Sequence, residues 1–184
     1  PQKLSIKGRA IIRINGIAVD ITGFADGIEF SASELEKIDE IKILASNFMT
    51  IENRTSYLRY KDDNTVTFYL GGYANRDQRD FLRLVHIDNP DKNYWHFGDI
   101  DAGGLWIHNH LCKITGINFG LFYMSKKELA DPVYKKCLHK LSENDITRLQ
   151  ELKDMPVYND VVDYMLRNRV KLEQEIVSLR LMSK

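Results

Sequence analysis

From residue 46 to residue 124, short apolar runs alternate with amphipathic stretches, and this alternation limits the fold more than any other feature of the chain. Phe48-Met49-Thr50-Ile51 reads as a short buried strand, and residues 53–60 read as helical. Thr65 to Leu70 is a second strand, closed by Gly71-Gly72, and residues 76–87 form a helix with Phe81, Leu82 and Val85 inward. Residues 94–98 give a third strand, 103–114 a helix, and Phe119 to Met124 a fourth strand. Strands that take turns with helices imply βαβ units, an α/β fold whose mostly parallel sheet is flanked by helices.

Other patterns precede and follow. Residues 9–14 and 17–21, joined by Asn15-Gly16, are a β-hairpin with a type I′ turn. Residues 28–30 add a short strand, and Ser33-Glu34-Leu35-Glu36 resembles a capping box opening a short helix. Residues 1–45 are therefore expected to be a small β-rich lead-in, and 46–184 the main domain with a C-terminal helical extension. In that extension Ser142-x-x-Asp145 starts a helix with Ile146, Leu149 and Leu152 on one face. Pro156 opens another segment, and a last long helix carries Met165, Leu166, Leu172, Ile176 and Leu179.

A length of 184 residues with 43% hydrophobic content supports one sizeable domain and a real core. Twenty-six basic residues balance 26 acidic ones, so any contact with nucleic acid must come from local patches. Cys112 and Cys137 show no C-x-x-C spacing and read as reduced core residues. The sequence has no signal peptide and no membrane-length apolar run, which points to the cytoplasm. It begins at Pro1, without Met.

The chemistry concentrates in Phe97-Gly98-Asp99-Ile100-Asp101-Ala102-Gly103-Gly104, where a buried strand runs through two acids into a glycine turn and a new helix. Residues i and i+2 of an extended segment point the same way, roughly 6.6 Å apart. Two carboxylates so placed repel each other unless a cation lies between them, and a hard divalent ion such as Mg²⁺ suits oxygen ligands. Removing either acid is accordingly expected to leave the metal-free protein as stable as before, or slightly more so. Without a metal, the pair reads as a solvated turn with Asp101 capping the next helix. The first alternating strand ends in Ile51-Glu52-Asn53-Arg54, so Glu52 stands at the same carboxyl edge, where open parallel sheets bind ligands. Arg54 beside it is placed to meet a phosphate, and Gly103 and Gly104 open a helix whose free N–H groups favour anions. Arg76, Arg79 and Arg83 follow one helical face, readable either as a phosphate-binding rim or as a solvated face.

A strand ending in Glu, two βα steps, then a strand ending in Asp-x-Asp resembles a Toprim domain, the fold of topoisomerases, primases and several nucleases. Residues 49–57, Tyr69-Leu70-Gly71-Gly72-Tyr73, 97–104 and Leu172-Glu173-Gln174-Glu175 are similar to the C-terminal region of the Wadjet protein JetD family, from about residue 40 onward. The resemblance implies a metal-dependent DNA nuclease using Mg²⁺ or Mn²⁺, with Glu52, Asp99 and Asp101 as metal-binding and catalytic residues. It implies double-stranded plasmid DNA and the subunits of an SMC-type Wadjet complex as partners, in anti-plasmid defence, and leaves room for a homodimer. Full-length members carry a further N-terminal region, so this chain resembles a truncated or stand-alone form. Glu173 and Glu175 match a family motif, with a role either at the site or in bracing the last helix.

The competing readings are a DNA-binding or assembly module whose acids only hold structure, and a topoisomerase-like domain that borrows a tyrosine from elsewhere. Tyr57, Tyr69 and Tyr73 read as core or rim residues, which favours hydrolysis. A D-x-D phosphatase needs a different order of acids and is disfavoured. His108-Asn109-His110 cannot share a metal on a helix, because i and i+2 face about 200° apart. His96 stands one strand step from the acids, points with neither, and reads as structural.

Overall fold

The computed structural model describes residues 2–183. Strands β1 (Lys3–Lys7), β2 (Ala10–Ile14), β3 (Ile17–Asp20), β4 (Ile28–Ser31) and β5 (Ile38–Ile43) occupy the N-terminal quarter. The alternating region holds β6 (Asn47–Ile51), α1 (Arg54–Arg59), β7 (Thr65–Tyr69), α2 (Arg76–Asp88), β8 (Asn93–Phe97), α3 (Ala102–Thr115) and β9 (Gly120–Leu121). Then follow α4 (Lys126–Ala130), β10 (His139–Lys140), α5 (Glu143–Leu152), α6 (Asn159–Asn168), β11 (Val170–Lys171) and α7 (Gln174–Leu181).

The central sheet has the order β4-β1-β7-β6-β8-β9. β7, β6, β8 and β9 run parallel, and β1 pairs antiparallel with both β7 and β4. This is a mixed α/β fold with a mostly parallel sheet flanked by helices, compatible with the Toprim-like class. The N-terminal segment contributes more to it than the hairpin pattern suggested. β1 and β4 widen the central sheet, and only β3-β2-β5 forms a separate one. The missed strand, Lys3–Lys7, has four consecutive buried residues and so lacks the alternation that marks a half-exposed strand.

Parallel pairing and side-chain alternation sort the core into two clusters. Phe48, Phe68, Leu4 and Ile6 pack with Phe81, Leu82 and Val85 of α2 and Leu111 of α3. Met49, Ile51 and Phe97 pack with Leu149, Val162, Met165 and Val177 of the C-terminal helices. α2 is capped as a reciprocal box by Asn75 and Gln78. Its end is tied to β5, where Asp88 and Asn89 side chains accept from the Ile41 and Ile43 N–H groups, both at 2.8 Å.

Three local expectations change. The cap before the 3₁₀ turn over 32–37 is Ser31, which accepts from Ser33, so Ser33 is not the capping residue. The fourth strand is only Gly120–Leu121, because Tyr123 takes a left-handed backbone conformation (φ 49°) and turns the chain away. The last long helix is two helices. Arg169, also left-handed (φ 56°), ends α6, and β11 pairs with β10 before α7 begins. Among the described residues, no helix is long and apolar enough to cross a membrane.

Candidate active site

The register of β6 on β8 pairs Thr50 with His96 and Ile51 with Phe97, and the Glu52 N–H donates to the Phe97 carbonyl at 3.0 Å. Glu52 and Gly98 therefore leave the sheet side by side. Glu52 continues the face of Thr50, which is also the face of His96. A Cβ on Gly98 would lie 2.6 Å from Glu52 Oε2 and 2.9 Å from His96 Nε2, so only glycine leaves room for both side chains. Those two atoms are buried and have no hydrogen-bond partner. Burial foremost, then the carboxylates of Asp99 and Asp101, pushes Glu52 up to about 8.

The acid pair is built differently. Ile100 makes an isolated antiparallel bridge with Leu172, its N–H donating to the Leu172 carbonyl at 2.8 Å and the reverse bond measuring 3.1 Å. The bridge lays residues 171–174 across the ends of β6 and β8. Asp101 is the N-cap of α3, and its Oδ1 accepts from the Gly104 N–H at 2.8 Å. A Cβ at Gly104 would collide with the Asp99 carbonyl oxygen, so the turn between strand and helix needs glycine there. Asp99 Oδ1 accepts from the Gln174 N–H at 2.6 Å, at the start of α7. Burial raises the Asp99 carboxyl, while that bond works in the opposite direction.

Gln174 is fully buried and holds the site together. Its Oε1 accepts from the Asn53 N–H at 2.8 Å, and its Nε2 donates to the Phe97 carbonyl at 3.1 Å. One residue thus ties the end of β6, the end of β8 and Asp99 to α7. A cleft of about 240 Å³ opens here, lined by Asp99, Asp101, Lys171, Glu173, Glu175 and His139, among others. Lys171 brings a cation to it, donating to Asp145 at 2.9 Å, and this bond raises Lys171 further. Glu173 lies 3.9 Å from His139, and Glu175 lies 3.8 Å from Arg59.

The remaining expected residues are spread out. Arg54 stacks over the Tyr69 ring at 5.4 Å, in a cleft it shares with Gly71, Tyr73 and Asn75. Arg76 opens instead onto a separate cleft beside Leu35 and Glu36. Arg76 and Arg79 both reach Asp80, at 3.8 and 2.7 Å. The Gly104 N–H is taken by Asp101, while Gly103 lies next to the Asp101 carboxylate. Tyr57 is buried, Tyr69 half-buried and Tyr73 exposed, as core and rim residues should be. His108 uses both ring nitrogens, on Tyr158 Oη at 2.6 Å and the Phe119 carbonyl at 2.8 Å, and His110 sits apart against Tyr73.

Sequence reasoning missed Gln174, Lys171, His139 and Thr50. His96, read as structural and as pointing with neither aspartate, shares its face with Glu52. The parity of β8 separates His96 from Asp99, but only the register against β6 reveals that it stands with Glu52. Gln174 stood within the Leu172-Glu173-Gln174-Glu175 motif, where the acids drew the attention.

Among the described residues, no three His, Cys, Asp or Glu side chains are drawn into a closed ligand set. The donor chemistry nevertheless fits a hard divalent cation. Two carboxyls are raised and crowded, and one buried Glu52 oxygen lacks any partner. Residues 6–184 match the family described as "Wadjet protein JetD, C-terminal". The Wadjet protein JetD of Bacillus cereus (strain Q1) is 22% identical over 181 residues, covering 96% of this chain and 44% of the relative. The chain spans less than half the length of that relative. With its Glu and Asp-x-Asp edge inside the matched region, the chain belongs to the JetD C-terminal family.

Proposed function

We propose that the chain is a metal-dependent DNA endonuclease domain of a Wadjet-type anti-plasmid system, acting in the cytoplasm on double-stranded plasmid DNA with other Wadjet subunits. The observation that carries this reading is the surplus of carboxylate at one sheet edge. Glu52, raised to about 8 and with an unpartnered oxygen, stands beside Asp99 and Asp101, which raise it further. Below about pH 8 a proton on Glu52 relieves such a set, and once that proton leaves, a divalent cation does so best.

Asp99 and Asp101 would hold Mg²⁺ or Mn²⁺, each keeping the backbone N–H it already accepts. When bound, the ion supplies Lewis acidity to a phosphodiester and lowers the pKa of water. Glu52 would complete the ligand set or accept a proton from water on its carboxylate. Arg54, held against Tyr69, binds a DNA phosphate next to the site. Gln174 keeps the acids oriented through its three bonds.

The competing reading, an assembly module with structural acids, draws on those same backbone bonds to Asp99 and Asp101. A prolonged plasmid-nicking assay with Mn²⁺ separates the two. Wild type should convert supercoiled DNA to open circles, and Asp99→Asn should lose at least 100-fold of that rate while melting normally. Equal nicking by both proteins, or none by a protein that binds Mn²⁺, would sink the nuclease reading.

A further inference from the structure

Resting on the metal-site reading above, we propose that His96 is a positioning residue for Glu52: its Nε2–H donates to Glu52 Oε2 and leaves the other carboxylate oxygen for the cation.

His96 is fully buried in β8 and lies outside the cleft lined by Asp99 and Asp101. Two of its three contacts are settled. Nδ1 lies 2.9 Å from Thr50 Oγ1, and the ring lies 5.7 Å from that of His108. His108 cannot serve as the missing partner, because Tyr158 and Phe119 occupy both its nitrogens. Nε2 is left without a partner, and a buried polar atom in that state costs about 1–3 kcal/mol. Glu52 Oε2 is orphaned in the same way, and both atoms close on one point above Gly98, from 2.9 and 2.6 Å. Each is the natural partner of the other.

We place the Thr50 hydroxyl proton on the shorter of its two contacts, Nδ1 at 2.9 Å, over the Trp95 carbonyl at 3.4 Å. That leaves the ring proton on Nε2, facing Glu52. The arrangement is the one by which residues behind a metal ligand fix its orientation, and losing such a partner typically costs about 10–100-fold in metal affinity. Gly98 completes the device, since any larger residue would drive the two side chains apart.

The test measures Mn²⁺ affinity by electron paramagnetic resonance. His96→Phe should weaken binding about 10–100-fold. His96→Gln, whose amide N–H reaches the same place, should recover it to within about threefold. Undiminished binding by a folded His96→Phe overturns the proposal, as does a Gln variant no better than Phe. A second measurement needs neither variant nor metal. With ¹⁵N-labelled histidine, the His96 Nε2 resonance should be that of a protonated nitrogen and should move in Glu52→Gln. If wild type binds no Mn²⁺, the nuclease reading falls, yet a moving resonance still supports the pair. A His96 resonance indifferent to Glu52→Gln overturns it.

Discussion

Glu52→Gln isolates the energetic consequence of crowding acids at a sheet edge. Glu52 titrates at about 8 in the folded chain against an ordinary 4.5. Between those values the native protein holds a proton that the unfolded chain has released. Its stabilising effect is complete below about pH 4.5 and is lost as pH rises through 8. At about 1.4 kcal/mol per pH unit, the ceiling across that window is about 5 kcal/mol. Glu52 is only half-buried, so water relaxes part of this, and about 2–3 kcal/mol is expected to survive. For a chain of this size that is about 5–10 °C in melting temperature. Thermal melts in EDTA, taken from pH 5 to pH 8.5, should show wild type losing this much relative to Glu52→Gln as pH rises. The comparison cancels the groups that do not face Glu52, while the charges of Asp99 and Asp101 are part of what raises it. Parallel melting curves across that range would refute the argument, since they would mean that Glu52 ionises as freely folded as unfolded.

Mg²⁺ or Mn²⁺ should raise the melting temperature of wild type, most at pH 8, and the gain should vanish in a Glu52→Gln, Asp99→Asn double variant; an equal gain there would put the ion elsewhere. Asp101→Ala should destabilise the metal-free protein by about 1 kcal/mol through loss of the α3 cap, whereas Asp101→Asn keeps the cap, as urea denaturation can measure. Gln174→Ala should cost about 1–3 kcal/mol, because the Asn53 N–H loses its partner while the Phe97 carbonyl keeps only the Glu52 N–H. DNA binding should be weak and non-specific, and Arg54→Ala should reduce the log–log salt slope by roughly one unit, while Arg79→Ala, already neutralised by Asp80, should change it less.

The alternating strands, the inward residues of α2, the Asn15-Gly16 hairpin and the Ser142 cap were all legible, because each rests on a local period or a local turn. Glu52, Asp99 and Asp101 were legible as strand-end acids for the same reason. Three things were not. β1 reads as a plain apolar run, and its place between β4 and β7 is decided by pairing more than twenty residues away. The structural duties of the two aspartates change an expectation. Repulsion alone suggests that deleting either acid is harmless, yet each accepts a backbone N–H. That His96 shares a face with Glu52 depends on register between strands that two βα steps separate, and no local pattern encodes register.

Gln174 also sets an order of events in synthesis. Its bond to Asn53 spans 121 residues and its bond to Asp99 spans 75. A nascent chain that has delivered all three acids but not yet residue 174 holds Asp101 at its helix cap and leaves Asp99 without its N–H partner. Competence then arrives late and all at once, as α7 docks and closes both bonds together. Premature termination or proteolytic clipping upstream of Leu172 would leave a fragment without that clamp, which under the proposed nuclease function is a useful default inside the cell that makes it.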